Sequence, residues 1–279
     1  MAQSFLGGET TYVNQYDPSQ LLPIDRGEGR SELGIQSTLP FQGVDLWNAY
    51  EFTYLDGFGL PHQLALRIQV PVDSPAIIES KSMKLYLGSF AGSRYEDQET
   101  VLQTIHTDLT NALGLAGGTS ERMDDGLNVS ILDEPALQIH AAPREWIDLD
   151  REKPDKLPSE YDASMLRLTS NQHQAAAFYT NAFRSLCPVT GQPDYARIVV
   201  GYEGGQLDRV ALLQYLLSYR EHGDFAEQVA ERVFVDLDRA LSPQSLWVRA
   251  EFTRRGGIDI NTLRFDGCEP APYRRHARQ

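Results

Sequence analysis

The sequence predicts an α+β protein made of two tandem β-β-α-α-β-β modules, each an antiparallel sheet with two helices on one face. Three observations predict it. Glu79 lies seven residues before Tyr86 in Tyr-Leu-Gly-Ser-Phe, and Asp208 lies seven before Tyr215 in Tyr-Leu-Leu-Ser-Tyr. Val101–Leu113 then answers Val229–Leu241, with Val, Asp-Leu and Ala-Leu at matching offsets and apolar residues at helical spacing. The gap from serine to valine is twelve residues in the first half and eleven in the second, so one indel reconciles two motifs kept in the same order.

Each copy reads alike. A strand enters (Leu64–Val70; Ala196–Tyr202), a turn follows, and a first helix carries the Tyr-Leu segment. A second amphipathic helix comes next, and alternating strands close the units at Gly126–Leu132 and Ser245–Thr253. The stretch from Pro143 to Ala163 is rich in charge and contains Pro154 and Pro158, so it reads as a connection between modules. Residues 1 to 39 have weak periodicity with scattered Gly and Pro and are expected to wrap the surface. The chain therefore divides into an N-terminal extension (1–39), a first module (40–142), a linker (143–180) and a second module (181–279).

Composition narrows the function classes. A chain of 279 residues, 41% hydrophobic and 23% charged, has the make-up of a soluble globular protein of one or two modules. No apolar run approaches the roughly 20 residues that cross a bilayer. Met1–Gly8 has neither a basic start nor an apolar stretch, so no secretory signal is expected. Cys187 and Cys268 are too few for a disulfide scaffold, and a reducing cytoplasm is the expected location. A net charge of −14 repels phosphate backbones and anionic lipid, which argues against nucleic acid and membrane as partners. The six histidines have no metal-binding spacing with Cys or Glu, so no metal site is expected.

Four clusters carry candidate chemistry. Glu79-Ser80-Lys81-Ser82-Met83-Lys84 puts one carboxylate, two hydroxyls and two lysines at the end of a buried strand, a setting for something small and anionic. Cys187-Pro188 is followed seven residues on by Asp194, in a loop whose prolines and glycine forbid a helix and allow the carboxylate to fold back toward the sulfur. A thiol beside an acid–base partner is what nucleophilic catalysis requires, whereas the plainer alternative is a small buried hydrophobe, the reading kept for Cys268. In Glu221-His222-Gly223-Asp224-Phe225-Ala226-Glu227, Asp224 or Gly223 can cap a helix with Glu227 near the capping-box position. Alternatively, Phe225 stacks on a flat ring while Glu227 accepts two hydrogen bonds from an amidine-like edge. Arg254-Arg255-Gly256-Gly257 lets guanidinium and bare backbone approach a phosphate, or is a solvated turn. No Gly-x-Gly-x-x-Gly after a strand and no P-loop occurs, so any nucleotide is bound another way.

Together, Glu-Ser-Lys-Ser-x-Lys-Leu-Tyr-Leu, Cys-Pro-x₅-Asp, Phe-x-Glu-Gln and Arg-Arg-Gly-Gly-x-Asp-Ile-Asn resemble the long, two-module form of the NADPH-dependent 7-cyano-7-deazaguanine reductases, nitrile reductases of the path to queuosine. The resemblance covers nearly the whole chain from about Leu39 and implies a tunnelling fold, with sites where modules or subunits meet and hence a homodimer. It implies that Cys187 adds to the nitrile carbon to give a covalent thioimide, with Asp194 as proton donor. It places Glu79, Ser80, Lys81, Ala226 and Glu227 on the deazaguanine with Phe225 packed against it, and Lys81, Ser82, Arg255 and Gly256 on NADPH. Lys84 and Arg254 are helpers on charge grounds alone. The sequence departs from the family at Ala226, where the pattern has histidine. That departure keeps open a catalytically impaired deazapurine-binding protein, beside a tunnelling-fold purine or pterin enzyme as the other alternative.

Overall fold

A computed structural model describes residues 13–115 and 126–279. In chain order come strand β1 (Pro23–Asp25), helix α1 (Arg26–Glu32), β2 (Gln42–Leu55), β3 (Pro61–Pro71), β4 (Ala76–Ile78), α2 (Ser80–Ser89) and α3 (Gln98–Ala112). Then follow β5 (Asn128–Ile131), α4 (Glu134–Leu137), β6 (Ile147–Asp148), β7 (Leu168–Leu186) and β8 (Pro193–Leu207). Helices α5 (Arg209–Leu217) and α6 (Ala226–Leu241) precede β9 (Ser245–Phe252) and β10 (Ile258–Asp266). Eight strands form one sheet in the order β5-β3-β2-β10-β9-β8-β7-β6, antiparallel except where β6 joins β7. No helix among the described residues is long and apolar enough to cross a membrane.

The second module has all six elements, β7-β8-α5-α6-β9-β10, in the predicted order. The first supplies β2, β3, α2, α3 and β5. The halves are fused by β2 against β10, from Ile258 opposite Ala49 to Phe265 opposite Gln42. Helices pack on one face because their apolar residues recur every three or four positions: Val101, Ile105 and Leu109 in α3, Val229, Val233 and Leu237 in α6, all buried.

The repeat is visible as matching hydrogen bonds. Tyr86 donates to Asp108 and Tyr215 to Asp236, each at 2.6 Å, and Ser89 and Ser218 each donate to the carbonyl three residues back, also at 2.6 Å. It also reaches further than the sequence reading drew it. Tyr16-Asp-Pro-Ser-Gln-Leu21 and Tyr161-Asp-Ala-Ser-Met-Leu166 are equivalent straps. Their tyrosines donate to the same Asp108 and Asp236, and the amides of Asp17 and Asp162 donate to Ser89 and Ser218. Each strap then accepts the amide of the residue capping its module's first helix, Glu79 at Leu22 (2.9 Å) and Asp208 at Arg167 (3.1 Å). Residues 13–39 are largely exposed but tied down through the strap, and within the 143–180 stretch residues 161–167 form the second strap and Leu168 onward is β7. The outer part of β7, Thr169–Gln174, is polar and largely exposed, which is why it lacks a strand's alternation.

Beneath the helices the two modules share a buried ion-pair layer. Arg264 on β10 pairs with Asp45 on β2 at 2.7 Å and with Glu231 on α6 at 3.0 Å. Arg26 of α1 meets Asp45 at 2.6 Å, and Arg30 meets Glu231 at 2.8 Å. Helix α1 lies so close to α6 that a Cβ at Gly29 would overlap the Gln228 side chain, which explains a glycine inside a short helix.

Candidate active site

Cys187 opens the β7–β8 hairpin. Its N–H donates to Gln192 O at 2.8 Å and its carbonyl accepts from Gly191 at 2.9 Å, with Gly191 in the left-handed region at φ 68°. The strand after it begins at Pro193, earlier than the Ala196 start read from sequence, so Asp194 sits in the ladder opposite Ser185. The hairpin thus returns the carboxylate to the end of the sheet where the thiol lies. Asp194 is buried and accepts a hydrogen bond from Arg255. The Arg255 side chain is otherwise open to solvent, 41% exposed.

The Arg255 guanidinium, which the resemblance put on the cofactor, bonds Asp194. The adjoining turn keeps the other expected company. Gly256 and Gly257 adopt φ of 58° and 83°, and a Cβ at Gly256 would collide with the Lys84 side chain. Lys81, Lys84, Gly256, Gly257, Glu51 and Thr53 line one cleft of about 330 Å³. Arg254 lies 3.6 Å from Glu51 of that cleft, with its guanidinium over the Tyr50 ring.

Glu79 caps α2, its carboxylate accepting from the amides of Lys81 (2.9 Å) and Ser82 (2.7 Å), with the Ser80 hydroxyl at 3.4 Å. The Ser82 hydroxyl has its partners within the fold. It is buried, donating to Glu79 O at 2.7 Å and accepting from Leu22 N at 3.0 Å, so it ties the strap to the helix start.

At the start of α6 the expected cap is displaced. Phe225, half-buried, is the N-cap, and its amide donates to Gln228 at 3.0 Å. Asp224 pairs with Arg232 instead. Ala226 is buried with its carbonyl accepting from Thr262. Glu227 is also buried. Burial and the neighbouring Asp45 push its carboxyl up to about 8, against the pull of Arg26 and Arg264. The ion-pair layer under Glu227 was missed in the sequence, although Glu227 and Glu231, one turn apart, mark a polar stripe on an otherwise apolar face.

The family described as nitrile reductase, 7-cyano-7-deazaguanine-reductase N-term matches residues 12–117, and the family described as QueF-like protein matches residues 193–270. The NADPH-dependent 7-cyano-7-deazaguanine reductase of Paraburkholderia phymatum is 40% identical over 282 residues, covering 99% of this chain and 98% of its own. That of Burkholderia ambifaria is 41% identical over 276 residues, covering 98% and 97%. Among solved structures, the apo archaeosine synthase QueF-Like aligns with 37% of this chain and all of its own at 19% identity, with a TM-score of only 0.31.

Proposed function

The chain belongs to the 7-cyano-7-deazaguanine reductase family of nitrile reductases, and from that premise we propose how its residues share the work. The reaction is the NADPH-dependent reduction of the nitrile of 7-cyano-7-deazaguanine to the aminomethyl base, a step toward queuosine. Cys187 is the nucleophile. Asp194, a carboxylate paired with Arg255, takes the thiol proton and returns it to the nitrile nitrogen as sulfur bonds to carbon, giving a thioimide with no net change of charge. Glu79, Ser80, Lys81 and Glu227 hold the base, with Phe225 against its ring. Lys81 and Gly256, beside Lys84, suit a phosphorylated cofactor because cationic side chains and bare backbone line the same cleft. When bound there, NADPH supplies hydride for the two reduction steps. Ser82 supports this site through the strap.

The observation that carries the reading is the β7–β8 hairpin, which sets Asp194 in the ladder opposite Ser185, two residues before Cys187, and leaves it bonded to Arg255. The test is intact mass spectrometry after incubation with the nitrile base, followed by NADPH oxidation. One covalent adduct and two NADPH consumed per amine are expected. Binding without adduct would favour a deazapurine-binding protein. We place the enzyme in a reducing cytoplasm, in keeping with two free cysteines, and with a small molecule rather than nucleic acid as its partner. A homodimer fits the sheet, whose β7 meets β6 over only two residue pairs and leaves most of that edge open.

Ala226 favours reduced activity. A histidine there supplies a proton donor that alanine lacks, so Ala226→His is expected to speed full conversion to amine by about 10²-fold. Product analysis under excess NADPH checks this, and equal rates would refute it. Glu227 gives a second expectation. A ligand edge with two N–H donors needs the ionised carboxylate, whereas in the free protein the carboxyl gains its proton below about pH 8. Binding therefore releases a proton, and affinity should weaken by about tenfold per pH unit on descending from pH 8. Calorimetry on Cys187→Ala protein in two buffers of different ionisation enthalpy measures that proton, and Glu227→Gln should abolish it.

A further inference from the structure

We propose that Asp224 is a positioning residue for the nucleophile, holding the Cys187 hairpin and the turn into Phe225–Glu227 in register with each other. The inference rests on Cys187 being that nucleophile. Asp224 is only 6% exposed. Its Oδ2 accepts from Arg232 Nε at 2.7 Å and lies 3.0 Å from His222 Nε2. Arg232 also donates to Glu32 of α1 at 3.0 Å and lies over the Tyr161 ring, on which His222 stacks with centroids 5.0 Å apart. The segment so clamped touches the hairpin directly. His222 O accepts from the amide of Leu186, the residue before Cys187, at 2.8 Å, and Gly223 forms a parallel bridge with Leu186. Arg184 on β7 closes the other end, bonding Arg220 O and Glu221.

The first module supplies the comparison. Leu55 N donates to Ser93 O at 3.0 Å and Leu55 bridges Arg94 in parallel, so the same backbone frame exists there. In that frame Asp56 stands where the second module has Cys187, and Tyr95 stands where it has Asp224. A buried carboxylate–guanidinium clamp accompanies the copy that carries the thiol. Mere support of the frame does not need it, because the first copy holds the same frame with a tyrosine.

The clamp sets position rather than chemistry, so its loss should appear in kcat more than in KM. Asp224→Asn keeps the shape and removes the charge. It is expected to lower kcat by about 10- to 100-fold with KM little changed, and to alter the rate at which iodoacetamide alkylates Cys187. Arg232→Lys, which keeps a cation but loses the fork, should move both readouts in the same direction. Asp224→Glu should recover part of kcat. If Asp224→Asn lowers only the melting temperature, with kcat and alkylation as in the parent while Cys187→Ala is dead, the positioning role is wrong. A Cys187→Ala protein that turns over at the parent rate would overturn the nucleophile itself, and this role with it.

Discussion

Cys187→Ala is expected to lose turnover by roughly 10⁴- to 10⁶-fold, the scale on which removing a covalent nucleophile acts. A nitrile is a weak electrophile, and without the thiol no covalent intermediate forms for hydride to reduce. The fold should be indifferent to the change. Cys187 holds its hairpin through its own N–H and C=O, to Gln192 and Gly191, and alanine keeps both bonds. Stability should therefore stay within about 0.5 kcal/mol, and the base should still bind. Cys268→Ala is the matched control. That thiol, which burial pushes up from its ordinary range, lies near Ser245, and its loss should leave activity unchanged. Intact mass with the nitrile base is the direct measurement: an adduct surviving on Cys187→Ala, or vanishing on Cys268→Ala, would contradict the assignment.

The largest loss of stability should follow Arg264→Met. Arg264 is fully buried and pairs with Asp45 and Glu231, which belong to different modules. Deleting one member of a buried ion-pair set costs about 3–5 kcal/mol, because the remaining charges stay out of water without their partner. For a chain of this size that is on the order of 10 °C in melting temperature. Thermal unfolding of Arg264→Met beside Arg151→Ala provides the contrast. Arg151 pairs with Asp148 while 85% exposed, and its loss should change stability by less than about 1 kcal/mol. Similar shifts in the two variants would mean that the buried layer contributes no more than a surface pair.

Much of the fold was legible because the repeat and the apolar periods agree. Val101–Leu113 and Val229–Leu241 fall within α3 and α6 or one residue past them, and Ser245–Thr253 ends one residue beyond β9. Strand β2 was not located from its residues, since Asp45 and Asn48 interrupt its apolar run and are buried only because Arg26, Arg264 and Asp259 arrive from elsewhere. The straps escaped because Tyr-Asp-x-Ser-x-Leu is short and lies at different distances from the two modules it serves. At the site, the clusters at Glu79, Cys187 and Arg255 were each visible, but the bond that ties Arg255 to Asp194 is a matter of topology. The partners of Ser82 and Asp224 escaped for the same reason. A serine in a ligand motif and an acid before a helix look alike in sequence, whether they face outward or are spent on Leu22 and Arg232.

The β2–β10 ladder has a consequence for how the protein is made. A ribosome delivers β2 well before its neighbour β10, with residues 56–257 between them. At the usual pace of synthesis the edge of β2 stands open for roughly 10 to 40 seconds. Open strand edges are templates for stray pairing, and a charge on the strand discourages it. Asp45 lies on β2 and meets Arg264 only when β10 emerges. Until then Asp45 has only Arg26 of the first half to pair with, and β10 completes the layer when it brings Arg264.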